Sequence, residues 1–330
     1  MQYHDHENYP KLIRNSNAQI YLSILFIVLW SPGFIVTKIG LRYSEPFTLI
    51  WWRLLIAVIV STFFAFWVKV PWPRKLKTIM HLAISGSLLH VFYVVASWMA
   101  VYRNTPVGLV AIIVGLQPLL TTILASPILG EKITYKQWLG LLLGFIGIIF
   151  IIEPKLQNMT VDLEGILLVS AALVSITLGT IYQKKFCQNV DMRAGRVIQL
   201  AFSFLLIWPM IYIFHEQSIH WSNEFIFCLF WLSVMQSVCA ISVLGWLIRK
   251  GAVSTVALIF YLIPPLTTLY AYILFDEKLG WLGIIGMLIT MFGIALALNF
   301  IKLKKNHLKI NIDYKNHQLS SSTLKVFSEE

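Results

Sequence analysis

The chain has 330 residues, of which 58 % are apolar and 12 % charged, and its mean hydropathy is +0.75; a soluble globule, with roughly 25 % charged residues, is excluded. The net charge of +11 does not describe a nucleic-acid face, because the basic residues lie in short loops and a tail between long apolar runs. Cys187, Cys228 and Cys239 are too few and too scattered for a disulfide framework or a metal site.

In chain order, a polar segment 1–19 precedes about ten apolar runs near 20–40, 46–68, 78–102, 105–129, 134–152, 163–183, 194–214, 225–247, 252–274 and 280–301. Each is close to the roughly 20 residues that a helix needs to cross a hydrocarbon core about 30 Å thick. The basic segment 302–330 lacks apolar periodicity and reads as a flexible tail beside anionic lipid. The short loops require one all-α bundle. The first run is not a cleaved signal peptide, since it is long, no A-x-A site follows it and nine further spans come after.

Orientation follows from Lys and Arg counted on alternate sides. With both termini cytoplasmic, that side holds about 20 of the 26, including Lys69, Arg74, Lys75, Lys77, Lys184, Lys185, Arg193 and Arg196. Lys38, Arg42, Arg103, Lys155 and Lys278 fall on the other side.

An offset of about 146 positions aligns GLVAIIVGLQPLLTTILASPILGEK (108–132) with STVALIFYLIPPLTTLYAYILFDEK (254–278). It pairs Pro118 with Pro264, Glu131-Lys132 with Glu277-Lys278, Gly140 and Gly147 with Gly286 and Gly293, and Lys38 with Lys184. Five spans per unit is an odd number, so two five-helix repeats, 20–152 and 163–301, must cross the bilayer in opposite senses. Inverted repeats are the structural basis of alternating access in many secondary carriers.

The first-span WSPGFIVTKIGL (30–41), the PFTLIWWRLLIA segment with Arg53 (46–57) and the two P-x-x-T-T…(G/D)-E-K segments resemble the drug/metabolite transporter superfamily, EamA type. The resemblance covers residues 20 to 301. It implies a secondary-active carrier, often an exporter, of small organic metabolites such as amino acids, with no ATP site and no cofactor.

Polar groups inside hydrocarbon are expensive and mark candidate sites. His90 lies mid-span, suits a proton relay by its ordinary pKa, and corresponds to Gln236 under the repeat offset. His90, Tyr93 and Ser97 form one helical stripe; the alternative for His90 is an interhelical hydrogen bond. Arg53, about two turns inside the second span, either snorkels or holds a carboxylate. Its repeat counterpart is the neutral Gln199. Pro118 and Pro264-Pro265 are expected as helix breaks or hinges that free carbonyls near mid-bilayer, with Gln117 and Tyr261 beside them. Trp30 next to Ser31-Pro32-Gly33 enters the expected cavity. Other aromatics read as an interfacial belt. Glu131-Lys132 and Glu277-Lys278 are boundary charges or gate charges. Gly140, Gly144, Gly147, Gly283, Gly286 and Gly293 permit close helix contact, within the bundle or in a homodimer.

The expected substrate contacts are therefore Trp30, Arg53, His90, Tyr93, Gln117, Gln236 and Tyr261. The chain carries no GxxxxGK[ST], HExxH or GxSxG motif, so it reads as no enzyme of those classes, and proton coupling, if present, falls to His90. The expected function is export of amino acids or related carboxylates from a bacterial plasma membrane by alternating access. The alternatives are a metabolite importer and a membrane-embedded lipid-modifying enzyme.

Overall fold

The structure, a computed structural model, describes residues 16–129, 135–157, 163–188, 190–216, 218–249, 253–278, 280–293 and 295–296. The described chain is helical, with no strand beyond one bridge between Ser44 and Ile219. The first span is α1 (Ser16–Trp30) and α2 (Gly33–Gly40), and the second is α3 (Pro46–Trp67). The third is α4 (Leu76–Gly86), a π-helical segment Ser87–Phe92 and α5 (Tyr93–Tyr102). The fourth and fifth are α6 (Val107–Val114) with α7 (Gln117–Leu129), and α8 (Tyr135–Gln157).

The second half repeats this order: α9 (Leu163–Phe186), α10 (Met192–Ile213), α11 (Asn223–Phe230) with a π-helical segment Trp231–Ala240 and α12 (Ile241–Arg249), then α13 (Val253–Phe275) and α14 (Trp281–Gly293). Among the described residues six spans are long and apolar enough to cross a bilayer, and four shorter apolar helices occupy the fourth, fifth, ninth and tenth positions. The protein is an all-α membrane bundle of about ten helices.

Local chemistry sets many of the helix ends. Pro46 opens α3, where its missing N–H costs nothing. The Asp191 carboxylate accepts from the Arg193 N–H at 2.8 Å and caps α10, and the Ser222 hydroxyl caps α11 through the Phe225 N–H. The ends of α3 and α10 close alike. Lys69 and His215 both adopt positive φ, and the next N–H reaches back over five residues, from Val70 to Ala65 O and from Glu216 to Ile211 O. These six residues form three pairs that are equivalent under the 146-residue offset.

The inversion is visible where α8 crosses α14. A Cβ at Gly147 or Gly286 would strike the other residue's carbonyl, one at Gly293 would lie 2.7 Å from Gly140 O, and the Thr290 hydroxyl sits 3.5 Å from Gly144 O between them. Residue numbers rise along one helix as they fall along the other, so the two equivalent helices run antiparallel. Each pair maps onto another pair, or onto itself, when the halves are exchanged. The pseudo-two-fold axis therefore passes beside Gly144 and Thr290. These glycine faces are used inside the bundle, where small residues let backbones approach.

The helices α3 and α10 are antiparallel too. At one end Thr48 of α3 meets Glu216 beyond α10, and at the other Ala65 and Val70 pack on Ala194 and Val197. One apolar cluster joins α2, α3, α5, α10 and α11 through Val36, Ile50, Leu54, Trp98, Leu200 and Phe225. A second surrounds α6, every residue of which is buried. Lipid contact explains the many exposed side chains elsewhere, such as Phe63, Trp67, Phe145 and Phe292.

Three sequence expectations need correction. The chain is broken at Gly115-Leu116, ahead of Pro118, which lies in the first turn of α7. By contrast α13 is continuous through Pro264-Pro265, because a helix survives the loss of a few bonds when neighbours hold it; here the Pro264 ring packs where Gly115 has no side chain. Third, Arg196 is not a loop charge but lies one turn inside α10.

Candidate substrate site

The first span is interrupted at Ser31-Pro32, and the interruption exposes polar backbone in mid-bundle. Thr267 of α13 donates to Ser31 O at 2.8 Å, and Thr37 of α2 donates to Gly33 O at 2.9 Å. Gly33 has no side chain because the Gln236 amide occupies that space. The buried Ser31 hydroxyl has no partner among the described residues.

Around this break lies a cavity of about 50 Å³, lined by Trp30, Ser31, Gly33, Phe34 and Thr37 of the first span. Arg53 of α3, Tyr93, Val94 and Trp98 of α5, Gln236 of the second π-helical segment, and Ile263 and Thr267 of α13 complete it. It is far smaller than the roughly 300–1,000 Å³ of occupied ligand pockets. The two π-helical segments occupy equivalent places in the repeats, since 87–92 shifts to 233–238. Such bulges leave the regular bonding ladder and often occur at functional sites.

Arg53 is only 9 % exposed. Its Nη2 and Nε donate to the Ser237 hydroxyl at 3.1 and 3.2 Å, Nε also faces Leu232 O at 3.4 Å, and the guanidinium lies 5.2 Å from the centre of the Trp98 ring. Among the described residues no carboxylate lies within ion-pair distance of it. The cation is held by neutral groups alone, and a buried charge without a counter-ion is costly.

Of the expected contacts, Trp30, Arg53, Tyr93 and Gln236 converge on this cavity. His90 lies one turn before Tyr93 in the first π-helical segment, and its buried Nε2 has no partner among the described residues. Gln117 is elsewhere, donating to Thr180 of α9 at 3.0 Å. The Tyr261 side chain, and Glu131 and Lys132, lie outside the described residues. Ser97 turns its hydroxyl to Val94 O within its own helix.

Above the cavity, the Lys38 ammonium pairs with the Glu277 carboxylate at 2.6 Å. The other Glu277 oxygen accepts from the Gly108 N–H at the start of α6, and the ammonium lies 4.5 Å from the Phe275 ring centre. This ion pair joins the first, fourth and ninth spans. Lys278, expected to act with Glu277, instead faces Asp276 at 3.5 Å in an exposed pair. Sequence reasoning missed Trp98, Thr267, Ser237 and the Lys38–Glu277 pairing. The repeat alignment of Thr267 with Thr121 was the one signal for Thr267. The Lys–Glu pair spans 239 residues and leaves no local trace.

A second cavity, of about 390 Å³, lies at the end of the bundle bearing Glu216, between Thr48, Trp51 and Trp52 of α3 and Trp208, Ile211 and Tyr212 of α10. Glu216 accepts from the Thr48 N–H at 3.0 Å. Burial pushes its carboxyl up to about 6, against the pull of its hydrogen bonds from Thr48 and Phe47.

A two-repeat helical bundle with a cavity at a broken helix is an architecture that membrane transporters use. The EamA-like transporter family matches residues 17–153 and again 163–299, and the chain belongs to that family. It is 24 % identical over 283 residues to the "Probable amino-acid metabolite efflux pump" of Salmonella typhimurium, covering 83 % of this chain and 92 % of that protein. It is 27 % identical over 311 residues to the "Uncharacterized transporter YvbV" of Bacillus subtilis, covering 89 % and 96 %. A crystal structure at 15 % identity shares the fold with a TM-score of 0.59 over 87 % of this chain and 99 % of that one. The protein is a multi-pass membrane transporter of the drug/metabolite type.

Proposed function

We propose that the protein is a secondary-active exporter of small carboxylate-bearing metabolites, amino acids among them, working by alternating access. The observation that carries the reading is Arg53: a guanidinium buried at a cavity wall, with no carboxylate partner among the described residues, supplies the charge a cargo carboxylate would neutralise. Its planar donor edge suits bidentate contact with a carboxylate. Trp30, Tyr93 and Trp98 offer aromatic walls to an apolar side chain, and the Gln236 amide offers a polar edge. The name of the Salmonella relative supports the same cargo class.

In this mechanism the repeats 20–152 and 163–301 rock about the Gly144–Thr290 crossing. The cavity enlarges toward the cytoplasm, takes cargo, closes, and opens outward when the Lys38–Glu277 latch parts. Pro264-Pro265 and the Gly115-Leu116 break are the flexing points, and His90 carries the proton if export is proton-coupled. The Lys and Arg count supports a plasma-membrane setting with both termini cytoplasmic.

The test is mass spectrometry of the medium of cells expressing the wild type, Arg53→Gln, His90→Ala or an empty vector at matched membrane levels. Amino acids or related carboxylates enriched by the wild type and lost with Arg53→Gln are expected. Enrichment of uncharged metabolites alone, untouched by Arg53→Gln, would refute the carboxylate reading. Equal enrichment by His90→Ala would remove His90 from the coupling.

A further inference from the structure

A second cation approaches the same point from the opposite end of the bundle. Arg53 is seven residues from the start of α3 and Arg196 is four residues from the start of α10, and the two helices are antiparallel. At 1.5 Å per residue they sit about 10 and 6 Å inside opposite ends. Yet both side chains reach Ser237 in the second π-helical segment. Arg53 donates to its hydroxyl, and the Arg196 Nη1 faces its carbonyl oxygen at 3.4 Å.

The partners of Arg196 are as neutral as those of Arg53. Among the described residues no carboxylate lies within ion-pair distance of Arg196, whereas its neighbour Arg193 is paired with Asp191 at 2.8 Å. A single hydrogen bond of 3.4 Å is at the weak limit for N–H···O, so Arg196 gives up little by exchanging it. Two like charges drawn to one neutral residue repel each other unless an anion comes between them.

Resting on the carboxylate-export reading above, we propose that Arg196 is the first cargo contact on the cytoplasmic side. The cargo carboxylate docks on Arg196 and passes along Ser237 to Arg53, so the two guanidiniums form a relay in which the anion neutralises one and then the other. Arg196 sets the affinity for entering cargo, and Arg53 holds the cargo in the closed state. No bond is made or broken and no proton need move. Cargo without a carboxylate is refused at the first contact.

The experiment uses inside-out membrane vesicles from cells expressing the full chain, so that added probe meets the cytoplasmic face. The probe is a radiolabelled L-amino-acid mixture, with the corresponding amino-acid amides as the control. The expected result is saturable uptake of acids but not amides, a KM raised about tenfold by R196Q with Vmax within about twofold, recovery with R196K, and loss of Vmax with R53Q. If R196Q fails to reach the membrane, Arg196→Met, which keeps the apolar stem, replaces it. A wild-type KM in R196Q together with lost transport in R53Q overturns the relay and leaves the exporter. Equal uptake of acids and amides overturns carboxylate recognition at both arginines. No uptake of the mixture by the wild type overturns the proposed cargo class and the relay with it.

Discussion

The two repeats share a backbone and differ in charge. The chain beyond α3 meets the first turn of α10 through Val70 and Ala194; the equivalent contact beyond α10 meets α3 through Glu216 and Thr48. Both loops turn with a left-handed residue at the equivalent position, Lys69 and His215, and with equivalent return hydrogen bonds. One contact is apolar and the other is a buried carboxylate on a helix N-terminus. The inner walls differ in the same way. Arg53 reaches the second π-helical segment, whereas its counterpart Gln199 donates to Ser85 beside the first at 2.8 Å. In the proposed mechanism the duplicated scaffold supplies a symmetric motion, and a few substitutions in one copy supply the cargo site.

The shared backbone is tested most severely at the glycine crossing. Gly286→Val drives two methyl groups into the Gly147 carbonyl, and a destabilisation of about 3 kcal/mol is expected by thermal unfolding in detergent. Gly280→Val, with nothing near its Cβ position, should leave the midpoint unchanged. A wild-type midpoint for Gly286→Val would mean that α8 and α14 do not cross there.

The difference in charge is erased by Arg53→Gln, which makes the first repeat match Gln199 of the second. Carboxylate efflux should fall on the order of a hundredfold, the scale of a lost charged hydrogen bond, while the protein keeps its fold. Efflux at wild-type rates would show that the asymmetry of the inner walls is idle.

Glu216 sharpens the comparison at the loop. Its folded value of about 6 lies above the ordinary 4.5, so the folded state holds the proton more tightly than the unfolded chain. Stability is then fully present below pH 4.5 and declines as pH rises through 6, by about 2 kcal/mol for this shift. Glu216→Gln should flatten that decline in melting curves taken from pH 4 to 8. An unchanged slope would assign it to another group.

The smallest effect is expected at the latch. In a background without native cysteines, Lys38→Met should raise about fivefold the rate at which an impermeant thiol reagent modifies Thr37→Cys, since a half-buried pair contributes of the order of 1 kcal/mol. Lys278→Met, whose ammonium pairs with the exposed Asp276, should not. Equal rates in both variants would remove the latch.

The sequence by itself determined the spans, their number and the duplication. A bilayer demands about 20 apolar residues per crossing, and an odd number of spans per repeat demands inversion. The break beside Trp30 was legible too, because Ser-Pro-Gly inside an apolar run has a local cost. Tertiary structure alone decided which side chains meet. Trp30, Arg53, Trp98, Gln236 and Thr267 come from five different spans, and Gln117, equally polar and equally deep in the sequence, turns to Thr180 instead. Arg196 shows the same limit. Its position near a helix start marked it as an interfacial charge, and only the direction of its long side chain brings it to Ser237. Hydropathy follows from composition along one helix, whereas a site depends on how several helices are rotated against each other. That rotation is set by the close approach of glycines such as Gly33, Gly147 and Gly286, whose partners lie more than a hundred residues away.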